Sequence, residues 1–216
     1  MLKVKIVPVT PFQQNCSVLW CDQTMEAAVV DPGGDLDKIQ TVLDREGLTL
    51  KAIWITHGHI DHCGAAQTLK DGTGVPIIGP HEEDMFWIAR LEEDGARYQF
   101  NWAKTFAPDQ FLNDGDQLTI GQETLDVFHC PGHTPGHVVL YHEGQKLAIV
   151  GDVLFKGSVG RTDFPRGNTQ ELIDSIVQKL WPLGGDVRFI PGHGPMSTFA
   201  EERATNPFVG DQVLAG

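Results

Sequence analysis

Thr56-His57-Gly58-His59-Ile60-Asp61-His62 places three imidazoles and a carboxylate within six consecutive positions. That density of metal-binding side chains is not something packing alone requires. The loop follows Ala52-Ile53-Trp54-Ile55, an apolar run that reads as a buried strand. It leads into His62-Cys63-Gly64-Ala65-Ala66-Gln67-Thr68-Leu69, which reads as the start of a helix. In extended backbone, residues two apart point the same way, so His57 and His59 can grip one ion. Asp61 and His62, at the helix opening, can turn toward a second. A solvated polar loop is the bland alternative, but such loops rarely stack histidines at this spacing.

Two ions at zinc-like distances of about 2.0 to 2.2 Å need more than four donors, and carboxylates able to bridge. Three further candidates stand at the ends of apolar runs, each directly after a glycine: His133, Asp152 and His193. A small neighbour lets backbone and metal approach closely, and a strand end holds the donor on a rigid element. Singly, each would read as a turn residue; with the first loop they read as a ligand set.

With these residues in place, the chain resembles the metallo-β-lactamase superfamily, whose signature is an H-x-H-x-D-H loop followed by a His, an Asp and a final His. The resemblance spans nearly the whole chain. It implies an α/β (α+β) fold, the αββα sandwich, with metals at the seam of two β-sheets. It further implies one metal held by His57, His59 and His133, a second by Asp61, His62 and His193, and Asp152 bridging both. Val30-Asp31-Pro32-Gly33 resembles the superfamily's early Asp-Pro-Gly turn, in which the Asp supports the ligand loop.

The stretches Cys130 to His137, Gly157 to Phe164 and Thr198 to Phe208 look most similar to the glyoxalase II group, and among them to its short single-domain bacterial members. That resemblance implies thioester hydrolysis, with S-lactoylglutathione or a related acyl-thiol as substrate. It matches Arg161 to a basic residue that helps hold glutathione. The chain departs from the group in two ways. It ends about ten residues after Asn206-Pro207-Phe208, without the C-terminal helical domain that supplies basic contacts, and Pro195 replaces the aromatic two places after the last ligand histidine. Arg161 and Lys156 are the anion-holding candidates. A rival from another reaction class, the sulfur dioxygenase branch, uses a single iron at the positions of His57, His133 and Asp152. Lactone hydrolysis is a further alternative.

Charge arithmetic fits a hydrolytic centre, because two divalent ions outweigh the charges of Asp61 and Asp152, the two carboxylates assigned catalytic roles. Metal binding can lower the pKa of water from near 16 to roughly 7, so a bridging hydroxide would be available at neutral pH. Asp61 is placed to orient it. Zinc is the first expectation for the ions, with iron or manganese as alternatives. No G-x-S-x-G elbow, Walker A loop or dinucleotide fingerprint competes with this reading.

The chain has 216 residues, 41% of them hydrophobic, which suffices for one catalytic domain spanning 1–216. A formal charge of −13 argues against a nucleic-acid partner. No segment reads as a signal peptide or membrane span, so a cytoplasmic monomer or small homo-oligomer is expected. Cys16, Cys21, Cys63 and Cys130 lack C-x-x-C spacing and read as reduced, buried thiols. His137 reads as a structural histidine, and His81, His129 and His142 as non-ligands. Helices are expected over Asp35 to Glu46 with Asp35 as cap, Glu82 to Leu91, and Thr169 to Leu180 with an Asn168/Glu171 cap. An irregular segment is expected from Gly95 to Phe111. Strands are expected near 4–8, 16–20, 27–30, 76–78, 117–120, 124–129, 137–141 and 146–150, and again before His193.

Overall fold

Successive side chains of a strand point to opposite faces, and here both faces are apolar. In the strand Gln14–Cys21, Val18 and Trp20 enter one core and Leu19 another. Ala27 and Val29 divide from Ala28 and Val30 in the same way. On the other sheet, Leu140 and Ile149 face the second core, while Val139, Tyr141, Ala148 and Val150 face a third. Two sheets buried on both faces must stack with helices outside, which is the αββα sandwich. The computed structural model shows this arrangement and describes residues 1–215.

The first half runs β1 (Leu2–Val9), β2 (Gln14–Cys21), β3 (Glu26–Val30), α1 (Leu36–Glu46), β4 (Thr49–Trp54), α2 (Ile60–Cys63), α3 (Ala66–Thr73) and β5 (Ile77–Ile78). Its sheet has the order β1-β2-β3-β4-β5, antiparallel through β3 and parallel from β3 to β5. Then come α4 (Met85–Ile88), α5 (Leu91–Tyr98), β6 (Gln117–Ile120), β7 (Glu123–His129), β8 (Val138–His142), β9 (Leu147–Gly151) and the hairpin β10 (Leu154–Phe155) with β11 (Ser158–Val159). The chain closes with α6 (Thr169–Ser175), β12 (Arg188–Pro191), β13 (Ser197–Thr198), α7 (Phe199–Thr205) and α8 (Asp211–Leu214). The second sheet has the order β13-β12-β9-β8-β7-β6, with β9 and β12 parallel. Leu172, Ile176 and Leu180 cover its outer face. No described helix is long and apolar enough to cross a membrane.

Two helix expectations need correction, and a third holds at its cap but not along its whole length. Asp35 stands at the head of α1 but does not cap it: its carboxylate accepts from the Thr10 amide at 3.0 Å and from Lys38 Nζ at 2.8 Å. The Glu82 to Leu91 helix is broken into a 3₁₀ turn over Glu82–Asp84, the short α4, and α5, which runs on to Tyr98. Gly95 reads as a breaker in sequence, yet it sits inside α5, where the Phe100 carbonyl and Ala103 approach too closely for a side chain. The Thr169 to Leu180 helix is capped by Asn168, which accepts from the Gln170 and Glu171 amides, and changes to a π-helical turn from Ile176.

Candidate metal centre

Strand ends of the two stacked sheets come together where the ligand loops emerge. The Val138 amide donates to the Thr56 carbonyl at 2.8 Å, the Gly192 amide to Gly151 at 2.7 Å, and the Asn15 amide to Gly192 at 2.7 Å. These bonds draw the loop after β4, the loop between β7 and β8, and the ends of β9 and β12 into one place. All seven predicted donors, His57, His59, Asp61, His62, His133, Asp152 and His193, converge there. Donor atoms of His57, His59 and His133 lie within 4.8 Å of one another, and so do those of Asp61, His62 and His193. Asp152 sits between the two groups. Its Oδ1 is 3.3 Å from His62 Nε2, and its Oδ2 is 3.6 Å from His133 Nε2 and 3.8 Å from His193 Nε2.

Hydrogen bonds on the far side of the rings set which nitrogen faces inward. Thr56 Oγ1 donates to Asp31 Oδ2 at 2.6 Å, leaving it to accept from His57 Nδ1 at 3.1 Å. His62 Nδ1 donates to Asp31 Oδ2 at 2.9 Å, His133 Nδ1 to the Arg161 carbonyl at 2.7 Å, and His193 Nδ1 to the Phe12 carbonyl at 3.2 Å. Each ring then turns an Nε2 lone pair toward the centre. Asp31 therefore supports two ligands at once, and it also takes the Thr56 amide at 2.7 Å.

The electrostatics divide the two groups. Burial holds His57, His59 and His133 below the usual histidine pKa, with neighbouring imidazoles adding to the effect at His57 and His59. Burial also opposes charge on His62, but the Asp152 and Asp61 carboxylates outweigh it and raise that pKa well above the usual value. His193 shows the same balance: burial lowers, Asp61 raises, and the net direction is up. Burial would raise Asp152, yet the surrounding histidines hold its carboxyl far below the usual range. His57 Nε2, His62 Nε2 and Asp152 Oδ1 are buried without a hydrogen-bond partner. Such orphans cost about 1–3 kcal/mol each. Inward lone pairs, an ionised carboxylate and unsatisfied donor atoms together fit divalent cations.

The residues 9–193 match the family model described as the metallo-beta-lactamase superfamily. The chain belongs to this superfamily. It is 43% identical to hydroxyacylglutathione hydrolase GloC of Haemophilus influenzae, over 96% of this chain and 98% of that one. Among solved structures, it is similar to BLEG-1 B3 metallo-beta-lactamase, with 38% identity, a TM-score of 0.86, and coverage of 97% and 99%. It is similar also to TTHA1623 in a di-iron-bound form, with 34% identity, a TM-score of 0.83, and coverage of 95% and 100%. The metallo-beta-lactamase fold, a metal-binding centre and a metallohydrolase activity follow.

The two proposed anion-holding residues fare differently. Arg161 borders the cavity over the metal centre, with its guanidinium bound to Asp163 through two contacts of 2.7 Å. Lys156 is not among the residues lining that cavity; its ammonium pairs with Glu201 at 3.0 Å. His81, Glu83 and His129 form another group with close donor atoms, but its rings stack at 4.2 Å with 13° between planes. One ion cannot lie in both ring planes. His129 Nε2 also donates to the Pro135 carbonyl, and His81 Nδ1 accepts from the Glu83 amide. All four cysteines are buried and free.

Sequence reasoning missed two contributors, Asp84 and Trp87, whereas His137 takes the structural place expected of it. Asp84, fully buried, accepts from the Gly58 amide, Thr134 Oγ1 and the Gly136 amide, tying the two histidine loops together. Its signal was available: an acid heading the apolar run Met85-Phe86-Trp87-Ile88. His137 stacks on His57 at 4.6 Å and accepts the Asp152 amide at 3.1 Å. Trp87 meets the His59 ring edge-on at 4.5 Å and lines the cavity.

Proposed function

We propose that this metallohydrolase cleaves thioesters in the manner of glyoxalase II, with two divalent ions, zinc foremost, and an anionic acyl-thiol such as S-lactoylglutathione as substrate. The observation that carries the reading is the cavity, of about 610 Å³, that exposes His59, Asp61, His133, Asp152 and His193 to one solvent-reachable space. Its walls combine apolar surface from Trp87, Phe155 and Phe164 with arginine side chains, which suits an acyl chain beside an anionic carrier. The likeness to GloC supports the same substrate class.

His57, His59 and His133 would hold one ion, Asp61, His62 and His193 the other, and Asp152 both. Bound there, such a pair supplies a water-derived nucleophile at neutral pH and a positive counterpart for the thioester carbonyl oxygen. Asp61, whose carboxylate borders the cavity, orients the attacking water by accepting its hydrogen bond. Trp87 and Phe164 exclude bulk water from the acyl side, which strengthens every charge interaction within. The departing thiol has an ordinary pKa of about 8.5, so it leaves as thiolate with little help from a general acid. That agrees with the absence of a free acid among the roles assigned.

The single-iron dioxygenase reading needs His57, His133 and Asp152. It would leave Asp61, His62 and His193 as a second complete donor group with nothing to bind, so the geometry favours two ions. Metal analysis of protein purified without added metal, paired with thiol release from S-lactoylglutathione, tests the proposal. Two ions per chain with thiol release is the expected result. One iron per chain with oxygen uptake on glutathione persulfide would overturn it, and so would hydrolysis confined to lactones.

A further inference from the structure

The cavity over the metal centre carries two arginine cations that the centre does not use, with the carboxylate of Asp94 lining it beside them. Arg90 stands just before α5 and Arg97 within its last turn, and both line the cavity. In a chain of net charge −13, cations gathered on one cavity wall call for a reason. Arg161, the third arginine of the cavity, is already closed by its two-point bond to Asp163. Arg90 is not. Its nearest carboxylates, Asp94 and Glu93, stand at 3.9 and 4.0 Å, beyond hydrogen-bonding distance, and its Nε is buried without a partner. Its guanidinium is steadied by the rings of Phe86 and Trp87, at 5.7 and 5.9 Å. Arg97 lies over the Tyr98 ring at 5.5 Å and has no carboxylate within 4.0 Å among the described residues.

We infer that Arg90 and Arg97 form the carboxylate-recognition wall for the thiol carrier, an anionic peptide thiol with a carboxylate at each end. The inference rests on the thioesterase reading for what the carrier delivers. A guanidinium offers a planar fork of donors that matches a carboxylate in two-point contact, and a carboxylate at Arg90 would satisfy the orphaned Nε. Seven residues of helix bring the two positions to the same face, about 10 Å apart at 1.5 Å per residue. An extended tripeptide spans about the same, at roughly 3.3–3.6 Å per residue.

Arg97→Ala, Arg90→Gln and Arg90→Lys, assayed as metal-loaded protein, test this. For S-lactoylglutathione, Arg97→Ala and Arg90→Gln should each raise KM by about tenfold with kcat changed less than about threefold, and Arg90→Lys should recover part of the loss. The lactoyl thioester of uncharged N-acetylcysteamine should show no change. Equal losses on both substrates, or KM for the anionic one unchanged in both Arg97→Ala and Arg90→Gln, would overturn the inference while leaving thioester hydrolysis intact. Wild type inert on every thioester would overturn the functional reading instead. Calorimetry with S-methylglutathione, a thioether that cannot be hydrolysed, then decides the wall separately. Binding weakened about tenfold in the exposed Arg97→Ala variant supports it, whereas unchanged binding, or none by wild type, overturns it.

Discussion

Asp84 Oδ2 accepts the Gly58 amide at 2.7 Å, and this bond joins a buried acid to the peptide between two predicted metal ligands. The same oxygen takes Thr134 Oγ1 at 2.8 Å, and Oδ1 takes the Gly136 amide at 2.6 Å. Both oxygens act only as acceptors. The loop of His57 and His59 and the loop of His133 are thus pinned to a common point, and burial raises the Asp84 pKa to about 6.

Asp84→Ala should leave the Gly58 and Gly136 amides without an acceptor, at about 1–3 kcal/mol each, partly offset by removing a buried charge. We expect a lower Tm and a metal affinity reduced about 10- to 100-fold, as when outer partners of metal ligands are removed. Thr134→Ala, which removes one of the three bonds, should fall between the variant and wild type. Calorimetric melting and metal titration read both effects; full metal affinity in Asp84→Ala would refute the pinning role.

Acid should remove the two metals in order. His57 and His59, held well below the usual pKa by burial, and His133, held below it, stay unprotonated below pH 6.5 and remain available as donors. His62 and His193, raised by Asp152 and Asp61, must surrender a proton to bind. On lowering pH, metal content per chain should therefore step from two to one before it reaches zero. The same protonation acts on the stability of the metal-free chain. For the three depressed histidines the unfolded chain binds protons that the folded one refuses, so their contribution to stability is lost as pH falls below 6.5. Loss of both ions in a single step would contradict the division of the donors.

How much of this was legible in the sequence follows from the range of each interaction. The seven candidate donors could be picked out because loop spacing and strand ends are local, the αββα sandwich came from the family resemblance, and the division of Leu19, Val29 and Ile149 between cores is visible only in the fold. The broken helix around Arg90 was not readable. Gly95 is tolerated in α5 because Phe100 and Ala103 fold back over it, a contact that the helical pattern does not contain. Asp84 was missed for the same reason: its three partners lie 26, 50 and 52 residues away. Lys156 was chosen for charge and segment alone, and only the fold reveals that Glu201 lies beside it.

Arg161→Ala should act more weakly than its place in the motif suggests. The side chain is exposed and already bound at two points to Asp163, while its contribution to the centre is the backbone carbonyl that holds His133 Nδ1. Alanine keeps that carbonyl. We expect unchanged metal content and a KM for S-lactoylglutathione raised by less than about threefold, the scale of an exposed ion pair. A rise of tenfold or more would show that Arg161 leaves Asp163 to meet the substrate.

One added methyl group should separate a ligand-side glycine from an ordinary one. A Cβ at Gly192 would collide with Asp152 Oδ1, between the two donor groups, and lie 2.7 Å from Cε1 of His62, a member of one of them. Gly192 cannot back away, because its amide donates a hydrogen bond to the Gly151 carbonyl, and the His62 ring is held by Asp31. Gly192→Ala should accordingly displace Asp152 and cut metal content and turnover together. Gly72, on exposed α3, has nothing within 4 Å of its Cβ position and an ordinary helical backbone. Gly72→Ala should leave metal content and rate unchanged and stabilise the fold by about 0.5–1 kcal/mol, because alanine loses less backbone freedom in a helix. Comparing the two variants by metal analysis and melting isolates the steric cause. If Gly192→Ala retained both ions at the wild-type rate, Asp152 could not occupy the bridging position on which the two-metal reading depends.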